Sequence, residues 1–379
     1  MNKEIRRVVL FFVTIITTTL AGAEWMFGRF IFFGEKTMTW SDFLAGFQFS
    51  VPFLLILTVH EFGHYFTAKY HKIKTTLPTY IPLWLGFIAF PSFGTMGAFI
   101  RIKEAIFSRK HYFDVGVSGP LAGFIIALGV IWYGFTHLPE PEYIFQVHPE
   151  YEQYGLDYPQ YVYDDQLGVS MRFGNNLIYW FFESYVVEDP ELMPHPNEII
   201  HYPYLLAGYL ALFFTALNLL PIGQLDGGHV TFCLFGPRVS RRLNELFFTV
   251  FLFYAGLGWI NPRMLEDLSI SGSFSYLLVI VIYLYFIYMA SASMFPGNKA
   301  NRWVFAAILF AIQFFVATYT SFEGYGGWLV FAFIVGRFLG VYHPPVVDNR
   351  PLDKGRQIVG WIAIVVFILS FSPRPFIIE

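Results

Sequence analysis

Three residues within a single helical turn have the types and spacing for chemistry: His60, Glu61 and His64. Residues four apart on a helix share a face, so the two imidazoles can point at one zinc ion. The carboxylate beside them, Glu61, stands where a zinc hydrolase keeps its general base. The stretch that carries them, 51–70, begins as an apolar helix of the kind that enters a bilayer. Ionisable groups at membrane depth are expensive and are kept for a purpose. The plain alternative is a chance pair of histidines reaching for the interface at a helix end. A third ligand decides between the two.

The elements that must position such a site are membrane helices. The chain has 379 residues, 56% hydrophobic and 13% charged, with 46 phenylalanines, far from the balance of a soluble domain. Crossing about 30 Å of hydrocarbon takes about 20 apolar residues. Candidate runs are 8–26, 43–66, 113–135, 204–221, 245–261, 273–295, 302–320, 326–342 and 357–372. They predict an all-α polytopic membrane protein of eight or nine spans. The N-terminal Lys3, Arg6 and Arg7 precede an apolar run with no small-residue cleavage site, which predicts a retained first span.

Charge orients the spans. The loop 137–203 holds twelve acids (Glu140, Glu142, Glu150, Glu152, Asp157, Asp164, Asp165, Glu183, Glu188, Asp189, Glu191 and Glu198) against one base, Arg172. The opposite loops are basic, among them Lys69, Lys72, Lys74, Arg101, Lys103, Arg109, Arg238, Arg241, Arg242, Arg350 and Arg356. The positive-inside rule then puts the N-terminus and the end of the histidine helix in the cytoplasm, the acidic loop outside, and, after nine spans, the C-terminus outside. The expected division is 1–42, a first span; 43–135, a first part of the core; 136–203, the acidic extracytoplasmic loop; 204–240, a second part of the core; and 241–379, C-terminal spans. The loop could be an ordered cap, an interaction surface or partly disordered.

The third ligand comes from the end of the fourth run. Pro221 and Gly223 break that helix, and Asp226 is expected on the unwound segment, among glycines that let backbone approach closely. The charge argument gives it the depth of His60 and His64. A carboxylate there completes a three-ligand zinc site, one ion per chain, with the fourth position left for water. The only cysteine, Cys233, excludes an internal disulfide and a cysteine-rich site, so the ligands are nitrogen and oxygen. Read singly, Asp226 is equally an aspartate in a glycine turn.

Two segments lie between the ligands. Residues 75–100, broken by Pro78, Pro82, Gly86, Pro91, Gly94 and Gly97, predict a re-entrant loop or β-hairpin directly after the histidine helix, with a strand-like end over 97–103. The alternative is a plain cytoplasmic linker. Gly116, Ser118, Gly119, Ala122 and Gly123 open the third run with the small-residue spacing of close helix packing.

His60-Glu61-Phe62-Gly63-His64 looks like an HExxH motif, and Asn218 to Gly227, Asn-Leu-Leu-Pro-Ile-Gly-Gln-Leu-Asp-Gly, looks like an N-x-x-P-x-x-x-L-D-G motif. Together they resemble the site-2 protease family of intramembrane zinc metallopeptidases, in its bacterial and plastid branch. Ser118-Gly119-Pro120 resembles the Gly-Pro motif of the family's middle core helix. The resemblance covers about 43–135 and 204–235; no PDZ domain, which many bacterial members carry, is recognisable. It implies a three-helix catalytic core, zinc held by His60, His64 and Asp226, Glu61 activating water, and Asn218 touching substrate or the reacting carbonyl. The expected activity is zinc-dependent hydrolysis of peptide bonds in or near transmembrane segments of membrane proteins. A substrate strand would pair with the edge that holds Gly97, Ala98 and Phe99. The expected partners are a membrane-protein substrate and the bilayer, with no nucleic acid, in a bacterial inner membrane. The rivals are a metal transporter, a catalytically silent binding or quality-control protein on the same fold, and a zinc peptidase acting on soluble peptides at the membrane face.

Overall fold

The computed structural model describes residues 3–34, 36–163, 171–260 and 273–378. Asp164 and Asp165 of the acidic loop, and the last residue of the run 245–261, lie outside them. Each of the nine apolar runs carries helix. Among the described residues, four stretches suffice by length and composition to cross a membrane: Lys3–Phe27, Trp40–Tyr70, Arg109–Thr136 and Lys299–Tyr319. This is fewer than the eight or nine expected. Pro203–Leu219, for instance, has 17 residues. At 1.5 Å per residue it reaches about 26 Å, short of a full hydrocarbon core.

The chain forms two compact units, residues 1–106, 114–218 and 362–379 in one, and 107–113 with 219–361 in the other. The first is built on α1 (Lys3–Phe27), the short α2 (Trp40–Ala45), α3 (Phe47–Tyr70) and most of α4 (Arg109–Thr136), with the helix Pro203–Leu219. Thr39 caps α2 in a reciprocal capping box with Asp42. Helices α1 and α3 approach closely through small residues. A Cβ on Gly46 would lie 2.2 Å from the Thr19 carbonyl, and the Thr19 and Ser50 hydroxyls meet at 2.8 Å. That contact suits lipid, where van der Waals fit and polar pairs replace the hydrophobic drive between helices. Phe49 and Phe53 of α3, Ile131 and Phe135 of α4, and Leu205, Leu206, Tyr209 and Leu210 of Pro203–Leu219 form one buried core.

After α3 the chain turns into an antiparallel pair, β1 (Thr79–Leu83) and β2 (Gly94–Phe99), with Tyr80 opposite Ala98 and an irregularity before Pro82. The strand ends at Phe99 instead of running to residue 103; beyond it only Ile102 makes an isolated bridge, to Thr75. The acidic loop, where described, is ordered by short helices and by β3 (Met171–Phe173). β3 pairs antiparallel with β4 (Phe376–Ile378), a pairing that no turn signal or spacing in the sequence announces. Tyr209 holds that corner, donating to the carbonyls of Gly174 and Pro375.

The second unit gathers the helices Asp226–Phe235, Pro237–Leu257, Ser273–Ala290, Lys299–Tyr319 and Trp328–Ile334. Gln313, wholly buried, ties three of them: its amide donates to the Leu252 and Phe253 carbonyls and it accepts from Tyr283. Arg109 donates to the Cys233 carbonyl at 2.7 Å.

Candidate active site

His60, Glu61 and His64 lie on α3 and all three are buried, at 7, 8 and 7% exposure. The helical spacing brings the two imidazoles together with their Nε2 atoms 3.1 Å apart. A carboxylate oxygen of Glu61 stands 4.0 Å from His60 Nε2. His64 Nδ1 is 2.6 Å from the Val115 carbonyl of α4. A carbonyl only accepts, so Nδ1 carries the proton and Nε2 turns its lone pair inward. This is the outer hydrogen bond that sets the tautomer of a metal-binding histidine. Donor atoms around a tetrahedral zinc at 2.0–2.1 Å stand about 3.3–3.4 Å apart, close to the separation of this pair. The donor set and the fixed tautomer of His64 fit zinc.

The small residues of α4, which read as packing in the sequence, make room for the histidines. A Cβ on Gly119 would fall 2.2 Å from His64 Nε2, and one on Gly123 would fall 3.0 Å from His60 Cβ. From the other side, a Cβ on Gly63 would meet the Ser118 carbonyl at 2.6 Å. Any side chain at Gly119 occupies the space in front of the ligand atom. The Val115 carbonyl leaves no trace in a sequence, because every residue has one; only the placement of α4 makes it an orienting group.

Asn218 lies half-buried, one residue before the end of Pro203–Leu219. Asp226 is half-buried too, but it is the first residue of the helix Asp226–Phe235 rather than part of the unwound break. The break occupies 220–225. There Gly223 takes φ +59°, and its missing Cβ would lie 1.9 Å from the Gly340 carbonyl. An aspartate in a first helical turn faces the positive end of the helix dipole, which favours its charged, ligating form. Gly97, Ala98 and Phe99 form the end of β2. Gly97 has φ +101° with open space around it, and Met96 and Phe99 are exposed. Tyr80 of β1 is fixed to α3 by a 2.7 Å contact with the Thr58 hydroxyl, six residues before His64.

The profile of peptidase family M50 matches residues 48–258, more than half of the chain. The chain belongs to peptidase family M50. It is 26% identical over 197 residues to the probable zinc metalloprotease EGY2, chloroplastic, of rice, a match that covers 50% of this chain and 30% of the rice protein. To the Arabidopsis thaliana protein of the same name it is 28% identical over 195 residues, 50% of this chain and 29% of that one. To the probable zinc metalloprotease EGY1, chloroplastic, of Arabidopsis thaliana it is 27% identical over 182 residues, 48% of this chain and 28% of that one. The matches thus span about a third of these relatives' own length. No solved structure matches.

Proposed function

We propose that this chain is a zinc-dependent intramembrane metalloprotease that hydrolyses peptide bonds in or near the transmembrane segments of membrane proteins. The observation that carries the reading is the buried pair of Nε2 atoms 3.1 Å apart with Glu61 beside it. Membership of a peptidase family and likeness to plant proteins named as zinc metalloproteases support it. In this reading His60, His64 and Asp226 hold the ion. Zinc so bound supplies a Lewis acid for the scissile carbonyl and makes water acidic enough to attack near neutral pH. Glu61 takes the proton from the attacking water and returns it to the leaving amide nitrogen. The Asn218 amide donates to the carbonyl oxygen as charge develops there.

The substrate presents its peptide bonds extended rather than helical, and the outer edge at Gly97, Ala98 and Phe99 is the strand it pairs with. The open space at Gly97 suits that role. The pair β1–β2 is read as re-entrant, with the exposed apolar tip Phe87, Ile88 and Phe90 dipping into lipid. The full complement is eight or nine spans, the shorter helices crossing by tilting or by thinning the bilayer. The N-terminus and the site face the cytoplasm and the acidic loop faces out. Pairing of β4 with β3 of that loop agrees with an odd number of spans, since it keeps the C-terminus on the loop's side. The setting proposed is a bacterial inner membrane; the same charge argument applies to a chloroplast membrane, where the names of the plant relatives put them.

The test is cleavage of a peptide containing a membrane span, wild type against Glu61→Gln, with zinc measured in both. Cleavage only by the wild type, with zinc in both, is the expected result. Equal cleavage rates sink the protease reading, and a metal transporter would have no need of the base. The topology is read by labelling a cysteine at position 160 in a Cys233→Ser background; labelling from the cytoplasmic side alone reverses it.

A further inference from the structure

A second group of metal-type donors stands in the acidic loop, outside the spans: His148, Glu198 and His201. Its three donor atoms converge. His148 Nε2 is 3.3 Å from His201 Nε2. Glu198 Oε2 is 3.4 Å from His201 Nε2 and 3.8 Å from His148 Nε2. The Glu198 side chain is 1% exposed and that of His201 8%.

The outer hydrogen bonds fix which atoms carry protons. His201 Nδ1 lies 2.8 and 3.0 Å from the carbonyls of Trp25 and Met26, which only accept, so Nδ1 is the donor. His148 Nδ1 lies 3.0 Å from a carboxylate oxygen of Glu150 and donates there. The Tyr163 hydroxyl donates to Glu198 Oε1. With those three bonds made, the neutral rings turn two Nε2 lone pairs toward each other and toward a carboxylate oxygen. Three electron pairs facing across 3.3–3.8 Å repel unless a metal cation, or a proton on one Nε2, lies among them. The separations match the roughly 3.3–3.4 Å between donors on a tetrahedral zinc. Each ligand is also held from behind by a carbonyl, a carboxylate or a hydroxyl, as metal ligands are.

We propose that His148, Glu198 and His201 form a second divalent-metal site, of zinc type, that fastens the acidic loop to the end of α1. Two imidazoles and a carboxylate suit zinc better than magnesium or calcium, which prefer all-oxygen shells. The carbonyls that hold His201 belong to the last residues of α1, whose C-terminal carbonyls lack partners inside the helix. Glu198 and His201 sit in the stretch that leads into the helix Pro203–Leu219, and His148 comes from the far end of the loop. The metal therefore closes the loop on itself and on α1 in one step.

The experiment uses the full chain, purified, stripped with chelator and reloaded with zinc alone. Bound zinc is counted in wild type, His148→Ala and His60→Ala, and protease nicking within 137–203 is followed with and without zinc. His148 is the least buried of the three ligands, so its replacement perturbs folding least. The expected counts are two zinc ions per wild-type chain and one in each variant. Nicking slows at least tenfold on adding zinc to wild type and does not slow in His148→Ala. One ion in wild type, retained in His148→Ala, overturns the proposal and leaves the histidines sharing a proton. One ion in wild type, lost in His148→Ala and kept in His60→Ala, upholds this site and overturns the catalytic one instead. Should His148→Ala not be recovered, a wild-type count of one that vanishes in His60→Ala overturns the proposal.

Discussion

Two pairs of histidines in the first unit converge to nearly the same separation by different routes. His60 and His64 come from one turn of α3 and meet at 3.1 Å. His148 and His201 come from stretches 53 residues apart and meet at 3.3 Å. In both pairs a backbone carbonyl pins one Nδ1, so that Nε2 faces its partner. The helical pair is prescribed by the backbone: wherever α3 is helical the rings lie on one face, with or without metal. The loop pair exists only when the loop is folded, so binding there is also folding. A catalytic ion profits from the first arrangement, because the ligands need no reordering. A fastening profits from the second, because the free energy of binding goes into closing a loop.

The largest expected effect comes from removing a ligand of the helical pair. In His60→Ala the ion proposed at that site is lost and cleavage of a membrane-span peptide falls to the level of the chelated wild type. Zinc content and cleavage, measured on the same preparation, check it. Cleavage that persists without the ion detaches the helical pair from catalysis and leaves two structural clusters in place of the contrast.

Next in size is a change that leaves every ligand in place. Gly119→Ala puts a methyl group 2.2 Å from His64 Nε2, closer than atoms can approach. Either His64 turns away or α4 backs off, and the Val115 hydrogen bond stretches with it. Disturbing the groups that orient a ligand typically costs about 10–100-fold in metal affinity. The expected outcome is a zinc affinity at the helical pair lower by that factor, read by competition with a chelator. Gly123→Ala, with 3.0 Å to His60 Cβ, has more room and should cost less. The reverse order would mean that the α3–α4 contact, rather than the space before His64, sets the affinity.

The two pairs also differ in how far the sequence discloses them. His60, Glu61 and His64 are legible because a helix turns sequence spacing into geometry. Apolar run length likewise places a helix in each of the nine runs, while only four of the described stretches are long and apolar enough to cross a membrane. The strand end near Gly97 is legible from its glycines and prolines, but not where it stops. The pairing of β3 with β4 is not, because its partners are 203 residues or more apart and neither carries a turn signal. For the same reason His148 and His201 read only as members of an acidic loop. Gly119 is the intermediate case. Its small size reads as helix packing, and only the register of α4 against α3 reveals that the space is filled by an imidazole.

The smallest expected effect tests whether the loop cluster shares the supported-ligand design of the helical one. Tyr163 donates to Glu198 Oε1, leaving Oε2 to face the two histidines. Tyr163→Phe keeps the ring, which stacks on His195, and removes only the hydroxyl. Without that bond the buried carboxylate is free to rotate and share both oxygens with the histidines. A single hydrogen bond of this kind contributes about 0.5–1.5 kcal/mol, or somewhat more to a charged partner. Zinc affinity at the loop site should therefore fall by about 2–10-fold, since 1.4 kcal/mol is a factor of ten. Titrating zinc against a chelator in a His60→Ala background isolates that site. The same background in His148→Ala should show no such titration at all. A loss in Tyr163→Phe as complete as in His148→Ala would promote the tyrosine from a support of Glu198 to a ligand. An unchanged affinity would mean that Glu198 is oriented by its burial alone, and that the two clusters differ in their second layer as well as in their origin.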